Sequence, residues 1–237
     1  MYLNKKIAVV IPTYKSASKI QAVIQTLPSF VDHIVVVDDN CPEESGKLIE
    51  RLSMPKVNII FHEVNQGVGG ATISGYKASL NLDAEVIVKV DSDGQMDPKC
   101  MDKLLYSIIK EKYSYAKGNR FGNLKDLRMM PAIRIFGNSI LSFAVKVASG
   151  YWNIMDPTNG YTAISREALS ALDLSKISRN YFFESSMLVY LNVAHLPVKD
   201  INMQAIYLDE KSSLNILLEM FRFPFLLFKF LLIRIFY

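Results

Sequence analysis

Apolar positions along the first 110 residues follow two alternating rhythms. Ile7–Pro12 (IAVVIP) is a short run rich in β-branched side chains and closed by proline, the pattern of a buried strand. Ser16–Leu27 then carries Ile20, Val23, Ile24 and Leu27 at helical spacing, with Ser16 or Ser18 suited to cap it. The pair recurs three times. HIVVVDDN (His33–Asn40) reads as a strand and Pro42–Leu52 as a helix with proline in its first turn. VNIIFHE (Val57–Glu63) reads as a strand, and NQGVGGATISGYKASL (Asn65–Leu80) as a glycine-rich turn running into a helix. EVIVKVD (Glu85–Asp91) reads as a strand and Pro98–Lys110 as a helix. Four such alternations predict an α/β fold whose parallel sheet is covered by helices on both faces. Beyond SYAKGNR (Ser114–Arg120) the rhythm is lost. Helix-like segments remain at Ile133–Ala148, Phe182–Val193 and Leu214–Phe236, separated by irregular polar stretches, with no repeat and no clear linker.

The 237 residues suffice for one large domain with a sizeable core, and 50% apolar content argues against disorder. A net charge of +4, with its basic residues scattered except near the C-terminus, does not point to nucleic acid. Cys41 and Cys100 stand in no CxxC or Cys/His ligand spacing, which argues against zinc and fits a reducing compartment. The apolar run after the N-terminal lysines is too short for a signal peptide, and no window has the length of uncharged apolar sequence that a membrane span needs.

In open α/β sheets ligands bind beyond the carboxyl ends of the strands. Here those ends carry Pro12–Tyr14, Asp38–Asn40, Asn65–Gly67 and Asp91–Asp93, so acids, amides, a tyrosine and a glycine turn converge on one rim. The Asp38–Asn40 stretch reads equally as a polar turn with a helix cap. In DSDGQMDP, Asp97 is suited to cap the helix that begins at Pro98. Asp91 and Asp93 are different: residues i and i+2 of an extended chain face the same way, and two like charges so close raise each other's pKa unless a cation intervenes. Oxygen ligands of this kind suit Mg²⁺ or Mn²⁺, with the Gln95 carbonyl able to join them. The GVGG turn follows the third strand rather than the first and does not spell GxGxxG, so a nicotinamide cofactor is disfavoured; no GxxxxGK[ST] is present.

VVIPTY, VVVDDN, NQGVGGA, VDSDGQMDP and GNRF occur in the order and at the separations typical of family 2 glycosyltransferases with the GT-A fold, and the chain resembles that family from Ile7 to Leu208. Within it, D-x-D-x-Q and the later DPTNGYTAISREAL look most like the polyprenyl-phosphate and dolichol-phosphate sugar transferases. The resemblance implies a single Rossmann-like, nucleotide-sugar-binding GT-A domain over residues 1–212, with a mostly parallel sheet, and a separate segment over 213–237. It implies an inverting, metal-dependent hexosyltransferase that uses a nucleotide diphosphate sugar and a polyprenyl phosphate. Asp91, Asp93 and Gln95 are expected to hold the ion. Pro12, Thr13, Tyr14, Asp38, Asp39, Gly67 and Asp91 are expected to line the donor site, with Arg120 and Arg134 gripping phosphates. Catalysis is expected from Asp93, Arg120 and Glu184.

Glu184 interrupts the apolar run NYFFESSMLVYL, where many family members carry an acidic pair and this chain has Glu184, Ser185 and Ser186. A lipid phosphate is already ionised and needs no strong base, so one acid fits such an acceptor, with Glu184 orienting an arginine or the acceptor. A sugar hydroxyl needs a base, which keeps extension of a lipid-linked oligosaccharide open. A non-catalytic binding protein on the same fold is a further alternative. Where mannose synthases of the group read PTYNE, this chain reads PTYKS; Ser16 cannot accept two guanine N–H groups as a carboxylate can, which favours uridine over guanosine. The C-terminal Leu214–Tyr237 is apolar but interrupted by Glu219, Arg222, Lys229 and Arg234, which fall in one helical sector. That pattern suits an amphipathic segment at a membrane interface, kinked or divided at Pro224, or else a helix packed on the core or a second copy. Peripheral attachment at the cytoplasmic face follows from the first alternative.

Overall fold

A computed structural model describes the backbone of residues 1–122, 132–204 and 216–236. Seven strands form one sheet: β1 (Ile7–Thr13), β2 (His33–Asp38), β3 (Val57–Phe61), β4 (Val86–Lys89), β5 (Tyr115–Asn119), β6 (Thr162–Ser165) and β7 (Val198–Asn202). Their order is β3-β2-β1-β4-β6-β5-β7, and β6 alone runs against its neighbours β4 and β5. The described helices are α1 (Ile20–Thr26), α2 (Ser45–Arg51), α3 (Gly67–Asn81), α4 (Met101–Ile109), α5 (Ala132–Ser149), α6 (Arg166–Ala171), α7 (Phe183–Val193) and α8 (Ile216–Phe236).

The central strands are continuous apolar runs because both of their faces are covered. Along β1, Ile7, Val9 and Ile11 pack with α1, α2 and α4 on one side, while Ala8 and Val10 join α3 and α7 on the other. The four predicted strand–helix pairs are all present. What the periodicity misses is β5, β6 and β7, each of four or five residues and each carrying polar side chains into the sheet. Position in the sheet, rather than intrinsic preference, makes them strands.

Helix starts depart from the sequence reading. Neither Ser16 nor Ser18 caps α1; the chain makes a turn in which the Ser16 carbonyl accepts the N–H groups of Lys19 and Ile20, and the helix begins at Ile20. Pro42 lies in the turn before α2, which starts only after Glu44 has adopted a left-handed φ of 54°. Asp97 does cap, accepting the Lys99 N–H at 3.0 Å. The last helix is not divided at Pro224 but runs through it. Its inner side packs on the domain: Leu227 and Phe230 are buried, and Phe230 stacks on Phe182 and meets Tyr190 edge-on. Arg234 turns inward as well, its guanidinium against Gly150, so it does not share an outer polar sector with the exposed Lys229. The side chains of Glu219 and Arg222 lie outside the described residues. No helix among the described residues is long and apolar enough to cross a membrane.

Candidate active site

Strand ends gather the rim. Pro12 and Thr13 at the end of β1 with Tyr14 just beyond, Asp39 after β2, Gly67 at the start of α3, and Asp91 and Asp93 after β4 all line one open cavity of about 430 Å³. Asn65, Val68 and Ala71 line it too, as do Ser92, Asn180 and Tyr181, which were not among the expected site residues. The glycines of GVGG explain how residues 178–181 reach it. A Cβ on Gly67 or Gly69 would run into the backbone at Ser178 and Arg179, and the Gly70 N–H donates to the Arg179 carbonyl at 2.9 Å. Those glycines serve a close approach of two backbones.

The two acids after β2 separate in role. Asp39 lines the cavity and also ties the next loop. Its carboxylate accepts the N–H groups of Gln66 and Gly67 at 2.8 Å each, and its Oδ1 lies 2.7 Å from His62 Nδ1, whose Nε2 lies 2.9 Å from the Ser74 hydroxyl. Asp38 is not among the cavity-lining residues. Both of its oxygens are taken by backbone, by Cys41 N–H at 2.7 Å and Gly46 N–H at 2.6 Å, so its work is to fold the 41–46 turn. The turn-and-cap alternative therefore describes the contacts that Asp38 makes.

Asp91 and Asp93 face the same cavity, as their spacing predicts. Burial, and then the nearby Asp91 charge, push the Asp93 carboxyl above the usual aspartate range. Asp91 has a cation of its own: Lys89 Nζ donates to its Oδ1 at 2.6 Å. The same ammonium lies 3.2 Å from Glu184 Oε1, in the first turn of α7. Burial works against the Lys89 charge, but Asp91 and Glu184 outweigh it and hold the group above the ordinary lysine range. This answers why Glu184 can sit buried in an apolar helix: its partner is a lysine, where an arginine or the acceptor was expected. Gln95 contributes its backbone N–H to Asp93 Oδ1 at 2.9 Å; its side chain is not among the cavity-lining residues.

Among the described residues no three Asp, Glu, His or Cys side chains form a closed cage. The open pair Asp91 and Asp93, with the Asp93 carboxyl raised by burial and then by the Asp91 charge, fits a hard ion that takes the rest of its shell from phosphate and water.

Lys89 belongs to a polar row across the sheet. It lies opposite Thr162 on β6, Thr162 opposite Lys117 on β5, and Lys117 opposite Asp200 on β7. Residues directly opposite share a face, so all four point towards α7. Lys117 is fully buried and donates to the Asn159 carbonyl. Burial lowers it to about 8, against the pull of Glu184 and Asp156. Burial likewise raises Asp200 to about 6. At the edge of this row Arg120 forms a fork with the fully buried Asp156, Nε to Oδ2 at 2.7 Å and Nη2 to Oδ1 at 3.0 Å. Asp156 thus fixes the arginine that was expected to grip phosphate. Arg134 lies on α5, and its side chain is outside the described residues.

A mostly parallel sheet with one reversed strand, and an acidic pair on the wall of a cavity at the strand ends, define a fold of the GT-A kind. The chain belongs to glycosyl transferase family 2, whose profile matches residues 8–173, and it is a glycosyltransferase. It is 32% identical over 218 residues to the UDP-N-acetylglucosamine–dolichyl-phosphate N-acetylglucosaminyltransferase of Methanococcus voltae, covering 84% of this chain and 86% of that protein. It is 27% identical over 187 residues to the polyprenol monophosphomannose synthase of Mycolicibacterium smegmatis, covering 76% of this chain and 70% of that one. Among solved structures, glucosyl-3-phosphoglycerate synthase of Mycobacterium tuberculosis, crystallised with Mn²⁺, UDP and phosphoglyceric acid, shares the fold. Its TM-score is 0.71 at 17% identity, covering 98% of this chain and 78% of that one.

Proposed function

We propose that this enzyme transfers a sugar, with inversion, from a uridine diphosphate sugar to a polyprenyl phosphate. The observation that carries the reading is the Asp91–Asp93 pair on the wall of the cavity that Thr13, Tyr14 and Asp39 also line, with Glu184 joined to Asp91 through Lys89. Pro12–Tyr14 and Asp39 hold the nucleoside; Asp91 and Asp93 hold Mg²⁺ or Mn²⁺. When bound, the ion supplies Lewis-acid stabilisation of the charge that develops on the departing diphosphate. The acceptor phosphate oxygen attacks the anomeric carbon as the bond to the diphosphate breaks. That oxygen is ionised beforehand, so the transfer asks little of a base, and Glu184, already paired with Lys89, orients the acceptor. Arg120, braced by Asp156, and Arg134 are the proposed phosphate grips. One relative named above carries a dolichyl phosphate acceptor and a UDP donor in its name and the other a polyprenol monophosphomannose product, which supports the lipid phosphate acceptor and the uridine preference read from Ser16. The outer side of α8 exposes Phe225, Phe228, Ile235 and Phe236, which supports peripheral attachment to the membrane that holds the lipid.

Transfer from a panel of UDP- and GDP-sugars to purified polyprenyl phosphate with Mn²⁺ tests the proposal. Asp91→Asn and Asp93→Asn each lose about 100- to 1000-fold, the usual cost of removing one electrostatic stabiliser. Full activity of both variants, or of the wild type in excess EDTA, rules the metal reading out. A wild type that ignores polyprenyl phosphate and glycosylates a lipid-linked sugar rules out the acceptor.

A further inference from the structure

Lys89 has no part in the reaction as written above, yet it occupies the position between its two halves. It ends β4, its side chain is 1% exposed, and its ammonium lies 2.6 Å from Asp91 Oδ1, 3.2 Å from Glu184 Oε1 and 3.4 Å from the Gly160 carbonyl. The chain is shaped to admit it there: a Cβ on Gly160 would clash with both Asp91 Oδ2 and Lys89 Nζ. A buried ammonium between two carboxylates is a fixed charge in a region that water screens poorly. It takes one oxygen of the acid that the cavity presents to a metal.

We propose that Lys89 is a resident counter-ion of the metal site, which holds Asp91 in the metal-free protein and opposes a divalent ion until a nucleotide diphosphate brings further negative charge. The proposal rests on the reading of Asp91 and Asp93 as the metal ligands. An ion held by Asp91 would share that carboxylate with the ammonium already on Oδ1, and the two cations would repel each other across one side chain. Nucleotide-free affinity for the ion is therefore weak. The diphosphate supplies oxygens and charge that the protein withholds, so metal and nucleotide each raise the other's affinity by one common factor. Lys89 is in this sense a positioning residue: it touches neither donor nor acceptor, and it fixes the acid on the donor side and the acid on the acceptor side to one anchor.

Mn²⁺ titration of the full chain, followed by the paramagnetic resonance of the free ion with and without UDP, tests this. Lys89→Met binds Mn²⁺ at least tenfold more tightly than wild type without nucleotide, and the gain in Mn²⁺ affinity on adding UDP shrinks by a similar factor. Because Lys89→Met leaves Glu184 buried without its ammonium, the double variant Lys89→Met/Glu184→Gln is measured beside it and shows the same tightening. A role confined to packing moves neither quantity in that direction. Unchanged or weaker nucleotide-free binding in the folded variants overturns the proposal. Asp93→Asn separates the two levels. If it binds Mn²⁺ as the wild type does, the metal reading itself fails and the counter-ion falls with it. If it loses Mn²⁺ while the Lys89 variants match wild type, the counter-ion alone is wrong.

Discussion

A lysine held without water in the middle of a sheet is a cost that the native state carries, and Lys117 makes it measurable. The charges facing it are Glu184 and Asp156, which favour its ammonium, and Lys89 and Arg120, which oppose it; burial outweighs them all and lowers the group from 10.5 to about 8. The folded value lies below the unfolded one, so the sign is destabilising. Below about pH 8 both states hold the proton and the penalty is complete. Between about 8 and 10.5 the unfolded chain binds more protons and stability rises with pH; above that range the penalty is gone. Lys117→Met accordingly gains stability relative to wild type at pH 7, offset by the lost hydrogen bond to the Asn159 carbonyl, and the gain closes as pH passes about 10. Urea unfolding of both proteins at pH 7 and pH 10.5 measures it, and an equal difference at the two values contradicts the assignment. Glu184 answers a different question at the same scale. If it orients an ionised acceptor, Glu184→Gln costs about 10- to 100-fold in rate, within the range for one hydrogen bond to a charged group. The acidic limb of the rate profile survives, because a phosphate monoester titrates near about pH 6. A general base predicts a loss of about 100- to 10,000-fold and no acidic limb.

Between single side chains and the whole fold, the segments 67–70 and 178–181 act as one unit. The α3 start carries glycine where a Cβ at Gly69 meets the Ser178 carbonyl and the Arg179 backbone, which has no flexible end to yield. Gly69→Ala pushes the two segments apart, costs about 1–3 kcal/mol as overpacking does, and weakens nucleotide binding because Asn180 and Tyr181 move with it. Among the described residues nothing lies within 4 Å of a Cβ on Gly137 of α5, and Gly137→Ala gains about 0.5–1 kcal/mol from helix preference. Thermal unfolding of the pair checks both signs; a neutral Gly69→Ala removes the backbone-contact account. Elements differ in how far the sequence exposes them. The first four strands announce themselves because a strand buried on both faces must be apolar throughout. β5 to β7 do not, since Lys117 and Asp200 interrupt them and their partners come from distant parts of the chain. The same reason hides Lys89: its position in an apolar run is visible, while the Glu184 and Asp91 contacts that make it tolerable depend on the fold. The D-x-D spacing, the Asp97 cap and the rim position of the β1 end are local signals, and the fold places these residues where that spacing puts them. The backbone contacts of Asp38 are not legible, because nothing in VVVDDN tells which acid turns to the backbone.

At the scale of the molecule, α8 has two apolar sides. Its inner side, with Leu227, Phe230 and the partly buried Phe223, closes the core over Phe182 and Tyr190. Its outer side exposes Phe225, Phe228, Leu232, Ile235 and Phe236, with Lys229 among them. A water-facing helix has no reason to keep five large apolar side chains together; if the acceptor is the proposed polyprenyl phosphate, such a face suits the interfacial layer of a bilayer. With Arg234 turned into the domain, the outer attraction rests mainly on apolar burial, so added salt weakens vesicle binding only slightly. Deleting 214–237 exposes the core surface that α8 covers, and the shortened chain aggregates; it is a poor test of membrane attachment. Phe225→Glu/Phe228→Glu leaves the inner side untouched. That variant keeps the wild-type unfolding temperature and the rate on a short-chain, water-soluble acceptor. It loses sedimentation with phosphatidylglycerol vesicles and most of its rate on full-length polyprenyl phosphate in them. Each buried phenylalanine side chain removed from the interface is worth about 1.5–3 kcal/mol of apolar transfer, so two of them shift the vesicle partition by at least a hundredfold. Equal sedimentation of variant and wild type places the membrane contact elsewhere on the molecule, and a lowered unfolding temperature shows instead that the outer phenylalanines belong to the core.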